Sequence, residues 1–249
     1  MTELFSLAVL FFVGLFAGFI NVMAGGGSSL TLPALLFLGL DAAVANGTNR
    51  IAILFQNIFG SLSFKNEKVS QLKVSLLMAV FTLPGAVLGA LAAVRIGNHT
   101  FKIILAVVMI GIILSMVVPI KYKKDYQERI EKIPWLIYPV MFLIGFYGGF
   151  IQVGVGFILL ASIHFILKVN LVYANMHKIM VVLIYTIPVI LVFLFTDNIN
   201  WKYGLTLATG NSLGAWWSAK IAVRKGEKIV RVILIVTIFI IALKLLGIF

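Results

Sequence analysis

The sequence predicts an all-α integral membrane protein built from two homologous halves, and three observations carry that prediction. Of 249 residues, 62% are hydrophobic and only 11% charged, with a mean hydropathy of +1.13. A soluble domain carries about 25% charged residues and could not bury this much apolar surface in one core. The apolar residues also fall into runs of about 20, the length at which a helix crosses the hydrocarbon of a bilayer. Finally, short motifs recur in the same order in the two halves of the chain.

Eight long apolar segments, at 4–23, 43–63, 73–94, 101–120, 135–153, 171–195, 203–222 and 229–248, are expected to be transmembrane helices. The first lacks a basic leader region and carries Glu3, so it reads as a retained span and not a signal peptide. Two shorter apolar pieces, 30–40 and 157–167, follow the glycine-rich stretches "AGGGSS" and "GGFIQVGVG". As helices they reach roughly 16 Å, about half the hydrocarbon core, and are expected to be broken or half-helices. The longest polar loop, "KYKKDYQERIEKIP" at 121–134, lies near the middle. The expected organisation is a first membrane repeat at 1–120, a basic cytoplasmic linker at 121–134 and a second membrane repeat at 135–249.

Three pairs of motifs support the repeat. "GLFAGFIN" at 14–21 matches "GFYGGFIQ" at 145–152, and "VANGTNRI" at 44–51 falls with "YANMHKIM" at 173–180. "PGAVLGALAAVR" at 84–95 falls with "TGNSLGAWWSAK" at 209–220, so Gly85/Gly210 and Gly89/Gly214 share one offset. If each half crosses an odd number of times, the basic loops segregate. Lys65, Lys68, Lys73, the 121–132 cluster, Arg224, Lys225, Lys228 and Arg231 then face one side, and Arg95, Lys102 and Lys202 the other. The positive-inside rule prefers that arrangement. It makes the halves inverted repeats with both termini outside a cell inner membrane.

Charge and composition exclude several classes. The net charge of +12 has no soluble domain to carry it, so the basic loops orient the spans and meet anionic lipid; the bilayer, not nucleic acid, is the partner. With no cysteine there is no disulfide or thiolate site, and three scattered histidines make no metal site. No GxxxxGK[ST] motif is present, which argues against an ATP-driven motor, and no cofactor is called for.

The polar breaks carry the functional signal. Irregular backbone at membrane depth is tolerated where it is buried in protein or lines a wet cavity. Gly25, Gly26 and Gly27 would let backbone N–H groups approach a ligand, and Ser28, Ser29 and Thr31 add hydroxyls. A half-helix would start there, pointing its positive end at an anion, with Pro33 in its first turn. Gln152, Gly154 and Gly156 repeat the idea more sparsely. The competing reading is close helix packing, for which glycine seams need no ligand. Arg50 lies inside an apolar segment within a polar cluster of Asn46, Thr48 and Asn49; Asn46, Asn49 and Arg50 share one helical face. His177 and Lys178 stand in the counterpart segment, with snorkelling to the interface as the alternative for both cations. His164 reads as a satisfied core or interfacial residue, and Asn211–Ser212 as lining a path or bonding between helices. No carboxylate falls in mid-span. A path whose buried charges are all positive prefers anions and disfavours cation carriage and carboxylate acid–base chemistry.

The paired "GFIN…AGGGSSLTLPALLFLGL…ANGTNRIAILFQNIFGSLSF" and "GFYGGFIQVGVGFILL…ANMHK" resemble the sulfite exporter family TauE/SafE over nearly the whole chain. The resemblance implies a transporter of sulfur-containing anions such as sulfite, sulfoacetate or other sulfonates. By position it implies site roles for Asn21, Gly25, Gly26, Gly27, Asn46, Thr48, Asn49 and Arg50, and in the second half for Gln152, Gly156, Asn175, His177 and Lys178. His177 stands where threonine or serine is common in that motif.

The expected function is therefore a secondary transporter or exporter of a small anionic substrate held at the breaks. Arg50 and Lys178 would neutralise it, and His177 beside Lys178 could tie transport to protons. A homodimer is left open. The alternatives are an intramembrane enzyme or binding protein acting on a phosphorylated lipid, and a membrane scaffold subunit.

Overall fold

In a computed structural model, which describes residues 3–117, 130 and 133–245, the chain is helical, with no strand among the described residues. The helices are α1 (Glu3–Met23), α2 (Ser28–Phe37), α3 (Ala42–Asn66), α4 (Leu72–Arg95), α5 (Asn98–Val117), α6 (Ile137–Phe150), α7 (Val155–Leu167), α8 (Leu171–Phe195) and α9 (Trp201–Leu245). By length and composition α1, α4 and α8 are long and apolar enough to cross a membrane. α3 is as long as α8 but carries the buried polar run Asn46–Arg50, which lowers its hydropathy.

Three expectations change. The segments 203–222 and 229–248 form one continuous helix through residue 245, because "AVRKGEK" contains good helix formers and a lone glycine, and no proline or capping signal to stop it. The segment 135–153 is helical only over Ile137–Phe150 and then turns extended at Ile151. α2 starts at Ser28, so Pro33 sits inside it and not in its first turn. The two short pieces are helices, as expected. The 121–134 linker falls outside the described residues except at positions 130, 133 and 134.

Side-chain contacts fix helix directions. The Lys202–Glu3 ion pair brings the starts of α1 and α9 together. Asn98 donates to the Asp41 carboxylate (2.7 Å) and accepts from the Ala42 N–H (2.8 Å), capping α3 from the start of α5. The Asn200 N–H donates to Thr48 Oγ1 (2.8 Å), placing the start of α9 at the same face. On the opposite face Arg224 pairs with Glu67 (3.0 Å). Ser75, in the first turn of α4, meets His177 in the second turn of α8. So α1, α3 and α9 run one way, and α4, α6 and α8 the other.

Two glycine seams hold the pairs. Gly14 and Gly18 of α1 lie against the backbone of Leu207 and Asn211 on α9, while Gly210 and Gly214 of α9 lie against Phe11, Leu15 and Phe19. Gly145 and Gly149 of α6 meet Thr82 and Ala86 on α4, and Gly85 and Gly89 of α4 meet Phe142, Phe146 and Phe150. Any Cβ at these positions would overlap backbone, so only glycine lets the helices approach this closely. Each seam joins a helix of the first half to one of the second.

Candidate functional site

Two helix breaks meet in the core. α1 ends at Met23, and Gly25 takes φ +99°, open to glycine but strained for other residues. α6 ends at Phe150, and Gly154 takes φ +75° before α7 begins. The backbones of Gly25 and Gly156 touch, so that a Cβ on either would overlap the other, and Gly26 faces the ring of Phe157. Gly27 donates its N–H to Asn21 Oδ1 (3.3 Å), and Ser29 donates to the Gly26 carbonyl (2.6 Å). Ser28 and Thr31 are buried, and Thr31 Oγ1 has no partner among the described atoms.

Arg50 is fully buried about 12 Å along α3 from its start. Its Nη1 donates to the Gly148 carbonyl (2.6 Å) and to Gln152 Oε1. Its Nη2 donates to the Gly149 carbonyl (2.9 Å) and to Asn46 Oδ1 (3.3 Å). Asn46 Nδ2 in turn donates to the Phe150 carbonyl (2.9 Å). Gly148, Gly149 and Phe150 are the last residues of α6, whose carbonyls lack intrahelical partners. Tyr185 OH donates to Gln152 Oε1 (3.1 Å), and the Phe193 ring lies 5.9 Å from Arg50 Cζ.

The second half does the same for the first. Lys178 Nζ donates to the carbonyls of Asn21 (2.8 Å) and Val22 (3.0 Å) and to Asn175 Oδ1 (2.7 Å). Asn175 Nδ2 donates to the Met23 carbonyl (3.3 Å). These are the last residues of α1.

The predicted site residues thus fall into two clusters. α3 and α8 lie antiparallel, with Gly60 against Ile179 and Gly47 against Phe193. Arg50 therefore sits near the level of Phe193 and Lys178 near that of Gly60, about 15 Å apart along α3. Thr48 is drawn to the α8–α9 turn through Asn200, and His177 to Ser75 on α4 through Nδ1 (2.8 Å), so neither joins the breaks. Asn49 is buried with both amide atoms unpartnered, as is Arg50 Nε.

His164 is buried, and its Nδ1 bonds to the Val169 carbonyl (2.8 Å) just past the end of α7, in keeping with a core histidine. Asn211 donates to Gln56 Oε1 (3.3 Å) between helices, and Ser212 to its own helix at Ala208. Sequence reasoning missed Tyr185 and Phe193. Tyr185 lies seven residues after Lys178, two turns along the same face, and that spacing could have found it. Among the described residues the ion pairs are Lys202–Glu3 and Arg224–Glu67, both toward the surface, and no group of metal-ligating side chains assembles. Two buried cations therefore stand without a carboxylate partner among the described residues.

Comparison with known proteins settles the lineage. The model of the family described as sulfite exporter TauE/SafE matches residues 10–245. The chain belongs to the TauE/SafE family. Among its relatives, the probable membrane transporter protein ORF9 of Sinorhizobium is 32% identical over 97% of this chain and 92% of its own length. A probable membrane transporter protein of Haemophilus influenzae is 30% identical over 96% and 94%. YfcA of Escherichia coli K12, also named a probable membrane transporter protein, is 29% identical over 96% and 89%. No solved structure matches. This TauE/SafE protein is thus a multi-pass membrane protein of a transporter family. Its two clusters occupy the motif regions on which the sequence resemblance rests.

Proposed function

We propose that this TauE/SafE protein is a secondary transporter of small sulfur-containing anions, sulfite or organosulfonates such as sulfoacetate, held at the paired helix breaks, and not an enzyme. The observation that carries this reading is the burial of Arg50 and Lys178 with no anionic partner among the described residues. Buried charge without a counter-ion is costly, and a path that holds it favours anions. The family's description as sulfite exporters directs the choice of anion. The opposed directions of α1 and α6, of α3 and α8, and of α4 and α9 support inverted repeats. In such a fold alternating access rocks one element set against the other around the breaks. The membrane is the cell inner membrane, with the start of α1 outside. Because α9 runs on past Arg224 without a break, it does not return the chain to the outer face, contrary to the expectation of both termini outside.

The test is a thermal-shift panel on purified protein with sulfite, sulfate, thiosulfate, taurine, sulfoacetate, chloride and a simple carboxylate, followed by counterflow in proteoliposomes. A ligand that binds only the folded state raises Tm by mass action. A saturable shift with one sulfur anion, matched by flux of that anion, is the expected result. No shift and no flux with any sulfur anion would sink the reading.

A further inference from the structure

Arg50 and Lys178 were expected to neutralise the substrate directly, yet their hydrogen bonds point elsewhere. All three N–H donors of Lys178 are matched by three acceptors, two of them carbonyls at the end of α1. Four bonds from the two Nη atoms of Arg50 go to the end of α6, to Gln152 and to Asn46; only Nε is left without a partner. The C-terminal end of a helix carries partial negative charge and unsatisfied carbonyls, both of which repel an anion. At each break such an end abuts the positive start of the next helix. A cation placed on the carbonyls cancels the negative end and leaves the field at the break positive.

We infer that Arg50 and Lys178 are positioning residues, each supplied by one half to hold and neutralise the broken helix of the other, and that the transported anion does not take its ligands from them. The crossing is specific. Arg50 and Asn46 on α3 close α6, and Lys178 and Asn175 on α8 close α1. The inference rests on the anion-transport reading for its second clause only.

The experiment combines hydrogen exchange with anion affinities in wild type, Arg50→Gln and Lys178→Gln. Arg50→Gln should speed amide exchange in peptides covering 144–153, and Lys178→Gln in peptides covering 17–27, each by roughly 10-fold and each in the opposite half from the substitution. Sulfate and thiosulfate, both doubly charged, should lose affinity by the same factor within about twofold, and singly charged chloride by about the square root of that factor, since the energy lost with a field scales with the charge of the ion. The milder Asn46→Ala and Asn175→Ala keep both charges. They should loosen the same helix ends, again in the opposite half from the substitution, which covers failure of the charge variants to fold. Exchange that rises only around the substituted residue, or not at all, overturns the cross-half brace. Loss of oxyanion binding with chloride binding intact overturns the indirect role, since it marks a direct, shape-selective ligand. If wild type binds no anion, the transport reading fails, and the exchange data still decide the brace.

Discussion

Asn49 shows what a single buried side chain implies here. Its neighbours Asn46 and Arg50 spend their polar atoms on the end of α6, whereas both atoms of the Asn49 amide lack a protein partner. Leaving a buried polar group unmatched costs about 1–3 kcal/mol. Replacing it with an apolar side chain of similar size should therefore hold or raise stability. Asn49→Leu is expected to keep or increase Tm while lowering anion flux several-fold, because water or substrate would be the natural partner of that amide. A variant with lower Tm and full flux would place Asn49 in packing alone. His177 offers a second test at this scale. It shares a hydrogen bond with Ser75, and its Nε2 is unmatched. Adding a proton would set a second cation beside Lys178. His177→Ala should therefore leave the dependence of transport on pH between 6 and 8 unchanged, and a flattened profile would place His177 in proton coupling. The polar run around Arg50 was legible in the sequence because an ionisable group in an apolar segment stands out. Its partners were not, since carbonyls of α6 about 100 residues away leave no mark in the local pattern.

At the scale of elements, the glycines divide into two uses that sequence spacing alone could not separate. Those in the breaks take positive φ or meet one another, as Gly25 and Gly156 do. Those at 14, 18, 145 and 149 serve the seams, where a side chain would strike the facing backbone. Gly149→Leu should push α6 from α4 and destabilise the protein by about 1–3 kcal/mol, the usual range for overpacking. Gly97 has open space around it, so Gly97→Ala should stay within about 0.5 kcal/mol, and thermal unfolding in one detergent compares the two. The shared offset of Gly85/Gly210 and Gly89/Gly214 had already hinted that these positions do the same job. The breaks were also legible, because three consecutive glycines in an apolar stretch have few other uses. The continuity of α9 was not. Its basic middle reads as a loop when charge is the only signal, although nothing in it forbids a helix.

The whole molecule carries its charge unevenly between two faces, and that asymmetry predicts its orientation. α4 spans about 36 Å as helix, so its two ends lie on opposite sides of a bilayer core. Toward its start lie Lys65, Lys68, Lys73, Arg224 and Lys225; toward its end lie Arg95, Lys102 and Lys202. The positive-inside rule predicts that the first face is cytoplasmic. The start of α1, tied to α9 by the Glu3–Lys202 pair, then lies outside. The chain has no native cysteine, so single cysteines report without background. Ser70 and Gly97, both exposed, mark the two ends of α4. In intact cells a membrane-impermeant maleimide should label Gly97→Cys, and should label Ser70→Cys only after the membrane is opened. The reverse pattern would invert the molecule without touching its helix directions, and the charge rule would then have failed for this chain. Labelling of both sites from the same side would be more damaging, because α4 could not then cross the membrane. The opposed halves, and the alternating access built on them, would fall with it.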